Sequence, residues 1–212
     1  MKIFICANEQ QKKELLSIKL SEKNNFIIST KYPETSEYKT FDAYFILDHF
    51  SDFRNFDLFE NKPVIINEVI QTLADLSLPH NFHRMNAWQG FLEREIWEVV
   101  SKTPEKIIDV LHAFNRKIIF VKDEPGFVSA RVISMIINEA FFALGENVST
   151  KEEIDLAMKS GTNYPYGPFE WAEKIGVGNI LNLLEKLSEK EERYFPAPSL
   201  RSFFYQDQNL NL

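Results

Sequence analysis

Few side chains in this 212-residue sequence could act as nucleophiles or metal ligands. Cys6 is the only cysteine and lies in an apolar run typical of a buried strand, where a thiol is usually inert. Ser129 lacks the Gly-x-Ser-x-Gly turn that exposes the nucleophilic serine of many hydrolases. His80 and His83 are the only histidine pair with ligand spacing, and short pairs on loops are more often incidental. The sequence therefore predicts neither a hydrolase nor a metal site.

The other candidates for acid and base chemistry are weak when they are judged by spacing alone. His49 and His112 stand beside no carboxylate or motif, so ordinary surface or core roles are expected for both. On the same criterion His83 is a loop residue and Glu98 is a solvated strand residue. A catalytic role for either needs the support of a longer motif.

The beginning of the chain lacks the glycines that bind a dinucleotide. A dinucleotide fold needs glycine after its first strand, because a Cβ there obstructs both the tight turn and the approach of the pyrophosphate. The first glycine here is Gly90, and the predicted first strand is followed by Ala7-Asn8-Glu9-Gln10. Glu9 places a carboxylate where phosphate oxygens would lie. The nearest acid after the second strand is Glu34. The sequence predicts no NAD in the usual position.

Short apolar runs alternate with helical patterns in the first part of the chain, which favours a parallel sheet. Residues 96–100 could be a strand or the start of a helix, and we predict a strand. The predicted strands cover residues 2–6, 26–29, 43–47, 63–66, 96–100 and 118–121, and the predicted helices cover 9–20 and 104–114.

Longer helical periodicity follows the turn at Pro125-Gly126. The pattern predicts helices over residues 127–145, 150–158 and 179–193, with Gly161 ending the second, a further helix beginning at Gly167-Pro168, and an extended tail from Tyr194. The predicted fold is α/β plus all-α: a shortened Rossmann-like domain at residues 1–123, then a helical domain at 124–212.

The charge balance excludes several classes of partner. The chain has 24 Lys and Arg against 31 Asp and Glu, a net charge of -7, and no basic run, so we expect no nucleic-acid binding. No apolar stretch is long enough to cross a membrane, and the first residues do not form a signal peptide. A single cysteine fits a reducing compartment. We expect a cytoplasmic protein without membrane attachment.

Residues 121–200 carry a series of motifs in a specific order. They are VKDEPGFVSARVISMIINEA, EEIDLAMKSGTNYPYGPFEWAEKIG and RYFPAPSL. In order and spacing this part of the chain resembles the helical C-terminal domain of the 3-hydroxyacyl-CoA dehydrogenases. The resemblance implies homodimerisation through this domain and a place beside an acyl-CoA cleft.

The same resemblance implies a catalytic pair. In the family a histidine takes the hydroxyl proton of a 3-hydroxyacyl-CoA as hydride passes to NAD, and a glutamate orients the imidazole. Here His83-Arg84-Met85-Asn86 resembles the family's His-x-x-Asn, and the run at 96–100 resembles the strand that carries the glutamate. His83 and Glu98 are the implied dyad, although their separation is a few residues longer than is usual in the family.

Other positions depart from the family pattern. Ala130 stands where the family has an active-site asparagine, and Ala87 replaces a proline. The family's Asn-Thr-Ser-Ser loop corresponds to Asn67-Glu68-Val69-Ile70. Loss of such preorganised donors typically costs about 100-fold in rate for each. The sequence thus favours a 3-hydroxyacyl-CoA dehydrogenase homologue with lost or much reduced NAD-dependent activity. The alternative is a non-catalytic protein that binds acyl-CoA or serves as a structural dimeric partner.

Overall fold

A seven-stranded sheet organises the first part of the chain. The computed structural model describes residues 1–48, 50 and 55–210, so His49 lies outside the described residues. The strands are β1 (Lys2–Cys6), β2 (Asn25–Ser29), β3 (Ala43–Ile46), β4 (Val64–Asn67), β5 (Phe82–Met85), β6 (Ile96–Val100) and β7 (Lys117–Phe120). Their order in the sheet is β2-β1-β3-β4-β5-β6-β7. All neighbours pair in parallel except β5 and β6. The predicted strands, including the one at 96–100, and the predicted α/β class are confirmed.

The central strands β1, β3, β4 and β5 are buried on both faces of the sheet. Helices α1 (Glu9–Ser17) and α2 (Pro104–His112) contribute Leu15 and Ile107 to an apolar cluster on one face. Aromatic rings cover part of the other face, where Phe59 contacts Tyr44 and Phe82. Burial on both sides explains why the parallel strands have near-continuous apolar sequences rather than alternating ones. Many of the 19 Phe are accounted for by these two layers.

The strand order places a switch point between β1 and β3. The chain passes from β1 to β2 on one side and then returns to β3 on the other. In open parallel sheets, ligands bind outside the carboxyl ends of the strands at such a point. The carboxyl edge of β1, β3, β4 and β5 is therefore where a cofactor of the family would be sought.

Five helices form the second unit, which begins at Val128, and the first unit ends at Phe127. The helices are α3 (Ser129–Gly145), α4 (Lys151–Thr162), α5 (Pro168–Ile175), α6 (Val177–Ser188) and α7 (Pro198–Leu210). The division comes four residues after the boundary predicted at 123/124. The predicted all-α class of this part is confirmed.

Three predicted details of the helical unit are wrong. Helix α4 continues through Gly161 and ends at Asn163, whose left-handed backbone (φ 56°) terminates the helix. The helix predicted over 179–193 covers Val177–Ser188 and is followed by a separate 3-10 turn at Glu192–Tyr194. The tail is helical rather than extended, because Pro198 begins α7.

No helix in the described ranges is both long and apolar enough to span a membrane.

Candidate functional site

The carboxyl edge of the sheet is occupied by the side chain of Gln11. This residue lies in the first turn of α1 and is only 4% exposed. Its Nε2 donates to the carbonyl oxygens of Leu47, after β3, at 3.0 Å and Ala87, after β5, at 3.1 Å. Asn67, at the end of β4, extends the same network: its Nδ2 donates to Leu47 O at 3.2 Å and its Oδ1 accepts from Ala87 N at 3.0 Å. The ends of the central strands are thus joined by protein hydrogen bonds.

The N-terminus of α1 is closed by the chain itself. Asn8 is the N-cap, and its Oδ1 accepts from the backbone N–H of Gln11 at 2.9 Å. In return Gln11 Oε1 accepts from the N–H of Asn8 at 3.1 Å. This capping box uses backbone donors that a phosphate would otherwise find at the start of such a helix. Glu9 adds a carboxylate in the same turn.

The segment after β5 folds back onto α1. Glu14 is 3% exposed, and its two carboxylate oxygens accept from the N–H groups of Gly90 at 2.7 Å and Leu92 at 3.3 Å. Gly90 has a φ of 89°, a conformation that favours glycine. The first glycine of the chain therefore serves a turn that packs against α1, not a turn that receives a nucleotide.

These residues do not fit a dinucleotide in the usual position. The crevice requires bare backbone and free N–H groups for a pyrophosphate. The chain instead presents a Gln side chain hydrogen-bonded across the strand ends, a self-capped helix and a carboxylate. The missing glycines were visible in the sequence, but the role of Gln11 at the carboxyl edge of the sheet was not predicted. The signal was present as the Asn8-x-x-Gln11 spacing of a capping box.

His83 and Glu98 lie on opposite faces of the sheet. His83 is in β5, two residues before Met85, which belongs to the apolar cluster beneath α1 and α2. Glu98 lies in β6 between Trp97 and Val99, both members of that cluster, so its side chain points the other way. The structure does not bring the implied dyad together, and it places His83 within a strand rather than on a loop.

The residue opposite Glu98 is Asn86. Met85 pairs with Val99, and the next step of this register puts Asn86 beside Glu98, with Asn86 N donating to Glu98 O at 3.4 Å. Asn86 and Glu98 are both buried, at 4% and 8% exposed. An amide neither accepts nor releases a proton near neutral pH. The strand position that faces the glutamate therefore holds no general base.

Burial controls the protonation of His83, which is 1% exposed. Burial, together with a smaller effect of the nearby His80, lowers the pKa of the imidazole to about 4. His83 Nδ1 is buried without a hydrogen-bond partner. At neutral pH the ring is therefore uncharged.

The loop after β4 has a structural role in this chain. Glu68 Oε1 accepts from the N–H groups of Ile70 at 2.8 Å and Gln71 at 2.9 Å. Val69 is buried, and its carbonyl accepts from Gly126 N at 2.7 Å. Val69 and Ile70, which stand where the family has serines, present no hydroxyl.

A buried ion pair joins the same loop to the end of the first unit. Arg84 is fully buried in β5, pairs with Asp123, and donates to Glu68 O at 2.9 Å. Its guanidinium also lies over the ring of Phe127 at 4.9 Å. Burial lowers the pKa of Arg84, and the Asp123 carboxylate opposes that shift. Arg84 was not singled out from the sequence.

The motifs of the helical unit act within the fold. Asn138 in α3 donates to Phe195 O at 3.0 Å and accepts from Ala197 N at 2.8 Å, so it fixes the segment that leads into α7. Asp155 in α4 accepts from the first N–H groups of α5, at Phe169 (2.8 Å) and Glu170 (3.2 Å). Ala130 is completely buried and offers no polar group.

Comparisons with known proteins agree with these motifs. The model of the 3-hydroxyacyl-CoA dehydrogenase C-terminal domain matches residues 126–210. The chain is 43% identical over 98 residues to 3-hydroxyadipyl-CoA dehydrogenase of Escherichia coli K12, covering 45% of this chain and 21% of that protein. It is 35% identical over 126 residues to a probable 3-hydroxybutyryl-CoA dehydrogenase of Bacillus subtilis, covering 57% of this chain and 44% of that protein.

These matches span less than half the length of either relative. The crystal structure of (S)-3-hydroxybutyryl-CoA dehydrogenase from Ralstonia eutropha aligns with a TM-score of 0.67 and 21% identity, covering 95% of this chain and 92% of that one. At that identity the structural likeness shows the fold. The motifs and the matched model together show that residues 126–210 form a domain of the 3-hydroxyacyl-CoA dehydrogenase C-terminal kind.

Proposed function

We propose that this protein is a 3-hydroxyacyl-CoA dehydrogenase homologue without NAD-dependent oxidoreductase activity. The observation that carries the proposal is the side chain of Gln11, which bridges Leu47 O and Ala87 O where a dinucleotide would need open backbone. A bound pyrophosphate would have to displace two buried hydrogen bonds and the cap of α1. Leaving buried acceptors unsatisfied costs about 1 to 3 kcal/mol each.

A second observation supports the same proposal. Hydride transfer from a 3-hydroxyacyl group needs a base for the hydroxyl proton, and Asn86 is the residue that faces Glu98. His83 lies on the other side of the sheet. General base catalysis typically contributes about 100-fold to 10,000-fold, so its loss alone would leave little turnover.

Calorimetry and a rate assay test this proposal together. Titration with NAD⁺ and with NADH is expected to give no heat of binding, and acetoacetyl-CoA with NADH is expected to give no oxidation above background. An active 3-hydroxybutyryl-CoA dehydrogenase measured in parallel controls for the reagents. Stoichiometric NAD uptake, or NADH oxidation at an enzymatic rate, would refute the proposal.

The role that remains is that of a dimeric partner protein able to hold an acyl-CoA. The helical unit supports it, because Asn138 and Asp155 keep the connections that build this domain. Trp88 and Trp97 are both buried in the first unit and report on changes there. Titration with acetoacetyl-CoA and with a longer acyl-CoA is expected to change their fluorescence. A flat titration with no thermal shift would leave a purely structural partner.

A further inference from the structure

A cavity of about 360 Å³ lies on the sheet edge opposite the crevice filled by Gln11. It is at the amino ends of β4 and β5, next to the start of α2. The lining residues are Asn61, Pro63, His80, Asn81, His83, Thr103 and Lys106. All belong to the first unit, and no lining residue is acidic.

His83 lines this cavity with a buried polar side chain that lacks a partner, which calls for an explanation. The residue is 1% exposed, and its Nδ1 has no hydrogen-bond partner. Buried polar side chains are normally paired, because an unpaired group loses its hydration without compensation. The tautomer that carries its proton on Nε2 leaves only a lone pair at the buried Nδ1. In that tautomer Nε2–H is the donor of a ring that lines the cavity.

The start of α2 gives the cavity a positive character. Thr103 is the N-cap, and its hydroxyl makes no capping bond to the helix. Lys106, one turn further on, is exposed and forms no ion pair among the described residues. The N-terminal end of a helix carries partial positive charge and favours anions. His80, which is exposed, also lines the cavity.

We propose that this cavity binds a small phosphate-bearing ligand, held by Lys106, the Thr103 hydroxyl and the imidazoles of His80 and His83. The phosphate group fits because all four side chains can donate hydrogen bonds and because no acidic residue lines the cavity. Asn81 holds the cavity wall in place, since its Nδ2 donates to Lys62 O at 2.8 Å and to Glu60 O at 3.3 Å.

This site is independent of the dinucleotide crevice. Gln11 and Asn67 close the carboxyl edge of the sheet, whereas the cavity opens at the amino edge of the same strands. Loss of NAD binding and retention of a phosphate site at the cavity are therefore compatible. Phosphate binding at the cavity can therefore be measured whether or not the protein turns over NADH.

The test uses inorganic phosphate as the probe and the full chain in a phosphate-free buffer. Melting temperature is measured against phosphate concentration, with chloride at matched ionic strength as the reference. The Lys106→Ala variant is compared with Lys102→Ala, which removes an exposed lysine at the same helix entrance that does not line the cavity. We expect saturable stabilisation, an affinity at least fivefold weaker in Lys106→Ala, and an unchanged affinity in Lys102→Ala.

A second readout follows the His83 ring by NMR. A bound dianion favours the charged imidazole, so the titration midpoint of His83 is expected to rise when phosphate is present. Acetate replaces phosphate in a parallel titration. No saturable stabilisation, equal losses in the two lysine variants, an unmoved His83 midpoint, or preference for acetate over phosphate would each overturn the proposal.

Discussion

Gln11 satisfies all of its hydrogen-bonding groups inside the protein. A glutamine side chain has one carbonyl acceptor and two N–H donors. In this chain the acceptor serves Asn8 N, and the Nε2 donors serve Leu47 O and Ala87 O. A nucleotide could form hydrogen bonds with this amide only by breaking the bonds that it already makes. One side chain thus links the ends of β3 and β5 to the start of α1.

Replacement of Gln11 by Ala is expected to lower the free energy of unfolding by about 1 to 3 kcal/mol, because it leaves buried carbonyl oxygens with fewer donors. Gln10→Ala is the matched control, since Gln10 is the neighbouring glutamine of α1 and is less buried. Its effect should stay within about 0.5 kcal/mol. Chemical denaturation measures both. Equal stability of the two variants would show that the Gln11 bridge contributes nothing.

His83 predicts a pH dependence of stability. Burial and, to a smaller extent, the nearby His80 lower the pKa of this ring to about 4 in the folded protein. The unfolded chain, with its ordinary histidine pKa near 6.5, binds more protons below that pH. The free energy of unfolding contributed by His83 is therefore present above about pH 6.5 and falls as the pH drops toward 4.

His83→Gln is expected to show a shallower loss of stability between about pH 6.5 and 4 than the unmodified protein, by about 1 to 3 kcal/mol. His80 and Lys106 are the other titratable groups that line the cavity. His112→Gln is the control, because His112 is exposed at the end of α2. Parallel pH profiles of the His83→Gln variant and the unmodified protein would contradict the buried, neutral imidazole.

At the level of elements, Gly167 allows Asp155 of α4 to cap the start of α5. A Cβ at Gly167 would lie 2.3 Å from Asp155 Cγ, so only glycine lets the carboxylate reach the first N–H groups of α5. Gly167→Ala is expected to destabilise the protein by about 1 to 2 kcal/mol through loss of this cap. Thermal unfolding measures the change.

Gly161 provides the matched control for that substitution. It lies inside α4, and a Cβ there would meet nothing within 4 Å. Gly161→Ala is expected to stabilise the protein by up to about 1 kcal/mol, because alanine is the better helix former. The two substitutions should therefore have opposite signs. A loss of stability at Gly161, or none at Gly167, would show that this account of the α4–α5 junction is incorrect.

The sequence predicted elements better than it predicted the direction of their side chains. Buried parallel strands leave continuous apolar runs, so all the proposed strands were found to within one or two residues. The face of the sheet to which a side chain points is harder to predict, because a shift of one residue turns a strand's side chains to the other face. Similarity of sequence motifs pointed to His83 as the partner of Glu98, whereas the β5–β6 register places Asn86 beside Glu98. Only the pairing of the strands distinguishes the two.

Helix α7 shows a different reason for error. The prolines around Ala197 suggested an extended tail, yet Pro198 is the first residue of the helix. The element is held by contacts remote in sequence: Phe203 packs against Phe141 with ring centroids 5.7 Å apart, and Arg201 pairs with Glu185 at 2.7 Å. The proline start and the spacing of Leu200, Phe203 and Phe204 were the available signals.

On the scale of the molecule, the likeness to the 3-hydroxyacyl-CoA dehydrogenases is not the same in the two units. The helical unit retains the side chains that connect its helices, and it carries the family match at residues 126–210. In the sheet unit, Gln11 occupies the carboxyl edge of the central strands and Asn86 lies beside Glu98.

The exposed apolar side chains of the helical unit allow a prediction about the oligomeric state of the whole molecule. Exposed apolar side chains occur in and beside α3, where Val132 is 54% exposed and Val128 is 56% exposed, and Phe195 is 60% exposed. We expect a homodimer through the helical unit, with about twice the 24.8 kDa chain mass in analytical ultracentrifugation. Val132→Glu should shift the protein to monomer, because an unpaired charge in an interface costs several kcal/mol, on the order of 100-fold or more in affinity.

Leu16→Glu is the control for that substitution, because Leu16 is 63% exposed and belongs to α1 of the sheet unit. It should leave the dimer intact. Retained helical circular dichroism in Val132→Glu would show that dissociation, not unfolding, changes the mass. A monomeric unmodified protein at tens of micromolar, or equal dissociation of both variants, would contradict a dimer built on this face and would assign the exposed valines another role.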